Sequence, residues 1–150
     1  MKVVEKAFAY ITHKTAQNEL RLLVFQQPDF PEAGAQVPAG TINAGEAPDM
    51  AVLREAEEET GLAAFDRPRF LGLQEFDARP FGKTEIHRRH FFHLQLSGNA
   101  PENWRHYERD PSDGSGQAIA FDLYWLPLET AQDELVASHG QLLHLLQEAV

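Results

Sequence analysis

Apolar positions along this chain follow two different periods, and the changes between them divide it into elements. "AFAYITHK" (residues 7–14) and "LRLLVFQQ" (residues 20–27) are short clusters rich in aromatic and branched side chains with a polar stretch between them, so they predict two strands joined by a turn. "PDFPEAGAQVPAG" (residues 28–40) is punctuated by Pro and Gly and predicts a loop. "RFLGLQEFDARP" and "EIHRRHFFHLQLSG" predict a second strand pair around Pro80-Phe81-Gly82. "DPSDGSG" is a turn cluster, and "AIAFDLYWLPL" a strand with Ile119, Phe121, Leu123 and Trp125 on one face. In the tail, Leu142, Leu145, Leu146 and Ala149 fall at helical spacing. Strands around a central helix, with a second helix closing the chain, predict an α/β or α+β sandwich in one domain spanning residues 1–150.

The central helix is predicted from Pro48, which suits a first helical position, to Gly61, which suits the residue just past the end. Ala47 is then a weak N-cap, and Leu62 is placed to close the end with an apolar contact. At about 100° per residue, Met50, Leu53 and Ala56 share a face and are expected in the core. Glu55, Glu58 and Glu59 fall within an arc of roughly 100° on the opposite side, while Glu57 lies outside it. Like charges at this spacing destabilise a helix by a few tenths of a kcal/mol per pair, so an offsetting charge is expected. Three convergent carboxylates are the donor type that Mg²⁺ or Mn²⁺ prefers. Arg54, four residues before Glu58, is close enough to pair with it or to orient a neighbour.

Composition narrows the chemistry further. The formal net charge of −10 disfavours nucleic acid as a partner but permits a small phosphorylated ligand where a metal inverts the local field. No cysteine is present, which removes disulfides, thiolate metal sites and thiol nucleophiles, and fits a reducing compartment. No run approaches the ~18 apolar residues of a membrane span, and the N-terminal "MKVVEKAFAYITHK" lacks the apolar stretch of a signal peptide, so the expected location is cytoplasmic.

In "GTINAGEAPDMAVLREAEEETGL" (residues 40–62), Gly40, Glu46, Arg54, Glu55, Glu58, Glu59, Gly61 and Leu62 stand at the spacing G-x5-E-x7-R-E-U-x-E-E-x-G-U, with U apolar. This resembles the Nudix box of the MutT-like hydrolases. Every fixed position matches, and Ala56 is small where a larger aliphatic is common. The resemblance implies an α/β/α sandwich with a mixed central sheet. It also implies a Mg²⁺- or Mn²⁺-dependent pyrophosphohydrolase that cleaves a nucleoside diphosphate linked to another moiety, NTP-like or nucleotide-sugar-like, by attack of water on phosphorus. Glu55, Glu58 and Glu59 would hold the metal, with the Gly40 carbonyl as a further ligand. Arg54 would orient the carboxylates, and Glu46 would tie down the loop–helix junction. The partner is a small nucleoside diphosphate derivative, and the chain a monomer or homodimer. An alternative is a Nudix-fold sensor that binds a nucleotide without turnover; an intact box disfavours it.

Outside the box, "EIHRRHFFHLQL" alternates as a strand, with Arg88, His90 and Phe92 on one face and His87, Arg89, Phe91 and His93 on the other. Arg88 and Arg89 are candidates to meet substrate phosphates. Zinc is disfavoured, because His87, His90 and His93 do not share a face. "PENWRHYERDPSDGSG" is the expected lid loop, where Trp104 or Tyr107 would stack on a base and Glu102 or Glu108 would add a ligand or the general base. A metal-bound Glu58 is acidified, which makes Glu108 the preferred base.

Overall fold

The structure, a computed structural model, describes residues 1–108 and 117–149. Strand β1 (Lys2–Lys14) is the centre of a seven-stranded mixed sheet ordered β4-β5-β1-β2-β7-β6, with β3 also paired to β1. β1 runs parallel to β5 (Glu85–Gln95) from Lys2↔Glu85 to Thr12↔Gln95. All other pairings are antiparallel, to β2 (Leu20–Gln26), β3 (Ala39–Thr41), β4 (Arg69–Asp77), β6 (Asn103–Glu108) and β7 (Ile119–Pro127). At 13 residues β1 outreaches β2, so one edge serves two partners: its far end pairs Thr12 with Leu22, its near end Ala7 with Gly40. That second pairing brings the start of the box onto the sheet.

Alternation along the strands fills two cores, one on each face. Ala7, Ala9, Ile11, Leu23, Phe92, Leu94, Phe121 and Leu123 pack under Ala51, Val52 and Ala56 of helix α1 (Pro48–Thr60). Phe8, Tyr10, Leu22, Val24 and Phe91 face the other way, against Ala131 of α2 (Leu128–Glu134) and Leu143 and Leu146 at α3 (His144–Ala149). The expected α/β/α sandwich is present. Two elements depart from the sequence reading. The tail is two short helices, because Ala137 and Ser138 adopt φ of 52° and 62° and break it between them. Trp104 and Glu108 lie on β6, not on a lid loop, and the rest of the expected lid, "RDPSDGSG", lies outside the described residues. No helix among the described residues is long and apolar enough to cross a membrane.

Candidate metal-binding site

Helix α1 begins at Pro48 behind Ala47, which makes no side-chain cap, and ends at Gly61 in the left-handed conformation with φ 77°. Of the expected core face, Ala56 is buried and Leu53 packs against the core, but Met50 is not there. Met50 is 60% exposed, whereas Glu55 and Glu59 are turned inward beside Ala51, Val52 and Ala56. The reason is β3. Glu55 lies against Gly40, where any side chain would overlap it, and the Ala39 amide donates to Glu59 Oε1 at 2.8 Å. Gly40, with no side chain, makes room for Glu55, and the Ala39 amide holds Glu59, where a helix normally packs apolar groups.

Arg54 braces this arrangement. Its Nε and Nη2 donate to the two oxygens of Glu46 at 2.8 and 2.9 Å, Nη1 to Glu55 at 2.7 Å, and Nη2 also to the Thr41 carbonyl at 3.0 Å. Glu58 Oε2 lies 3.5 Å from Nη1. The hydrogen bonds from Arg54, with the Asn43 amide second, hold Glu46 down at about 2. Burial pushes Glu55 up against the pull of Arg54. Glu59 is pushed well up by burial and then by the charge of Glu55. One guanidinium does not neutralise these carboxylates, and the excess is the electrostatic condition for a cation.

β6 supplies what the helix lacks. An oxygen from each of Glu55, Glu58 and Glu108 lies within 4.8 Å of the others, so one ion could touch all three. Glu59, held by Ala39, is not one of that trio. The strand is fastened to the end of α1 twice: the Trp104 indole donates to the Thr60 carbonyl at 2.8 Å, and His106 Nε2 to the Glu58 carbonyl at 2.9 Å. These are carbonyls that a helix terminus leaves without partners. Gly61 lies directly under His106, whose Nδ1 would be 2.9 Å from a methyl at that position. His106 was not a candidate from the sequence. Its position two residues before Glu108 on an alternating strand was the available signal.

The Nudix domain profile matches residues 6–146, nearly the whole chain. The chain belongs to the Nudix family. Solved Nudix structures share its fold. E. coli dihydroneopterin triphosphate pyrophosphohydrolase superposes with a TM-score of 0.69 at 17% identity, covering 100% of both chains. A C. elegans Ap4A hydrolase gives 0.64 at 20%, covering 97% of this chain and 96% of that one. The NUDIX domain of Shewanella oneidensis NrtR, solved with ADP ribose, gives 0.68 at 18%, covering 99% and 89%. Against a longer NrtR chain, this one spans 63% of its length. No curated protein sequence matches significantly.

Around this Nudix centre the remaining candidates are dispersed. Glu102 is exposed and pairs with Arg21 at 3.1 Å. Trp104 packs on the α1-side core while capping Thr60, and Tyr107 is 46% exposed. Arg88 pairs with Glu5 at 3.0 Å, while Arg89 is buried on the opposite face. His87, His90 and His93 bond separately to Glu85, Glu5 and Thr12.

Proposed function

We propose that the chain is a Mg²⁺- or Mn²⁺-dependent pyrophosphohydrolase, a single Nudix domain acting on a nucleoside diphosphate linked to a further group. As a Nudix hydrolase it acts on phosphoanhydride bonds. The observation that carries the reading is the convergence of Glu55 and Glu58 from α1 with Glu108 from β6. A bound divalent ion would screen the diphosphate charge and acidify the attacking water.

The chain's own groups have the following roles in that reaction. Glu55, Glu58 and Glu59, with the Gly40 carbonyl as a further ligand, would hold the cation, and Arg54, bonded to Glu55 and 3.5 Å from Glu58, fixes the directions of these two. Glu59 is anchored on Ala39, so its free oxygen is presented at a defined angle. Glu108, which faces Glu55 and Glu58 from β6, is left off the ion in this reading and would accept the proton of the attacking water. Solved relatives named for ADP ribose, Ap4A and dihydroneopterin triphosphate support a nucleotide-like ligand.

A panel of nucleoside diphosphate derivatives with Mg²⁺ or Mn²⁺, read by phosphate release after phosphatase coupling, tests this. Metal-dependent turnover of at least one member is expected. Tight binding of one member with turnover of none is the signature of a nucleotide sensor and would replace the hydrolase reading.

A further inference from the structure

The sheet ends on one side at β4, and no backbone hydrogen bond among the described residues reaches the outer edge of that strand. Such an edge offers a row of amides and carbonyls to a further strand, and proteins usually blunt it with Lys, Pro or a bulge. Arg69–Asp77 contains neither Lys nor Pro, and its bulge lies between Phe70 and Gly72, which leaves Gly72–Asp77 regular. The two faces of the strand differ. On the α2–α3 face, Gln74 bonds to the Ser138 carbonyl and to Gln141, and Leu142 and Leu145 lie over Gly72. On the α1 face, Phe70 and Leu73 stand opposite Phe92 and His90 of β5, and the helix leaves them uncovered: Phe70 is 53% and Leu73 55% exposed. Two large apolar side chains, three residues apart, thus border an open strand edge.

The charges along β4 select the partner. Arg69 stands at its start, and Glu75 and Asp77 at its end. A second β4 laid antiparallel sets cation against acids at both ends, whereas a parallel one sets like charge against like. We propose that two copies of this chain pair through β4 about a twofold axis at Leu73, continuing the seven-stranded sheet from one copy into the other. In that register Leu73 faces Leu73 of the second copy and a Phe70 flanks the pair on either side, so the exposed groups join into one apolar strip on the α1 face. Arg69 of each copy reaches the acidic end of the other. Asp77 is already bonded to Arg79, so Glu75, which is exposed, is the acid available to Arg69. None of the carboxylate-site residues takes part, so the pairing stands apart from the hydrolase reading.

The test is sedimentation velocity of the full chain from micromolar to submillimolar concentration, with hydrogen exchange at the two ends of that range. Wild type should pass from monomer to dimer, and the amides of Gly72–Asp77 should exchange more slowly as concentration rises while those of β6 do not. Leu73→Lys places two ammonium groups directly opposite each other and should raise the dimer Kd at least ~10-fold. Arg69→Glu and Glu75→Arg should each raise it about fivefold, since the twofold axis counts every pair twice, and the double variant should return to wild-type affinity. Melting temperatures taken at low concentration distinguish lost association from lost folding, and the charge-swapped pair carries the test if Leu73→Lys does not fold. A wild type that stays monomeric, a dimer indifferent to Leu73→Lys, or a double variant no tighter than the single ones would overturn the pairing. So would a dimer whose β4 amides exchange at the same rate at both concentrations, because its interface then lies elsewhere.

Discussion

Gly40 and Glu55 are packed so closely that a methyl group on Gly40 would lie 2.0 Å from Cδ of Glu55. The obstacle is the far end of a side chain, not backbone, so the protein can accommodate the methyl by moving that carboxylate. Gly40→Ala should therefore separate stability from function. The melting temperature is expected to change by only a few degrees, while kcat falls by about 10²-fold because Glu55 leaves the cluster. Thermal melts beside steady-state kinetics check this; full kcat in a folded variant would detach Glu55 from catalysis.

Arg54 is the hub to which Glu46, Glu55, Glu58 and Thr41 are attached, and its fork geometry is what joins them. Arg54→Lys keeps the charge but loses the fork, and should lower kcat/KM by about 10²-fold. Below about pH 4.5, part of the pH dependence of stability follows from Glu46. Its pKa is depressed to about 2, so its contribution is present above the unfolded value near 4.5 and is lost as pH falls from there toward 2. Glu46→Gln should flatten the acid limb of an unfolding curve inside that window. An unchanged limb would mean that the pair contributes nothing to stability.

The strand pairs, α1 with both its ends, and the box were legible because each is encoded locally: period-two alternation, Pro48, Gly61, and a fixed spacing of Glu residues. The face that α1 presents was not. An amphipathic reading puts Met50 inward and the glutamates outward, whereas the structure does the reverse for Glu55 and Glu59. The cause is tertiary, since a strand of Ala39, Gly40 and Thr41 is too short to announce itself in sequence yet supplies the room and the amide that draw carboxylates inward. Glu108 could be named from the sequence only as a loop acid. Its approach to Glu55 depends on Trp104 and His106 joining β6 to α1, a long-range contact that no local pattern carries.

Glu108 and Glu102 make a matched pair for testing the base. Glu108→Gln should lower kcat by about 10²-fold with a smaller effect on KM, and should change the pH dependence of kcat. Glu102→Gln, on a side chain paired with Arg21 and absent from the carboxylate trio, should alter neither. Glu58→Gln measured beside them completes the comparison. A wild-type pH profile in Glu108→Gln moves the base into the box.

Cation binding should also be visible without substrate. Anything that binds the native state alone stabilises it by RT ln(1 + [L]/Kd), about 2.7 kcal/mol at 100 times Kd. Millimolar Mg²⁺ or Mn²⁺ at constant ionic strength should therefore raise the melting temperature, and Glu59→Gln should reduce the rise while lowering kcat by at least ~10²-fold. Indifference of the wild type to both ions would argue against a site at these glutamates.

His139 is the group that should govern stability at mildly acid pH. Its ring is buried, edge-on to Phe8 at 4.8 Å, and its Nδ1 accepts the Val37 amide at 3.2 Å. A protonated Nδ1 has no lone pair for that amide, so the native ring is neutral. Burial, then the charge of Arg89, lowers its pKa to about 3. The unfolded ring titrates near 6.5, so between about pH 6.5 and 3 the unfolded state binds one more proton than the native state. Stability must fall as pH drops through that window, by up to about 1.4 kcal/mol per unit from this group. His139→Asn keeps an acceptor for Val37 and removes the titration. Urea unfolding at pH 7.5, 6.0 and 5.0 should show the variant less stable at pH 7.5, with the gap to wild type narrowing by about 1–2 kcal/mol toward pH 5. A gap that stays constant across those pH values would mean that His139 does not set the acid limb.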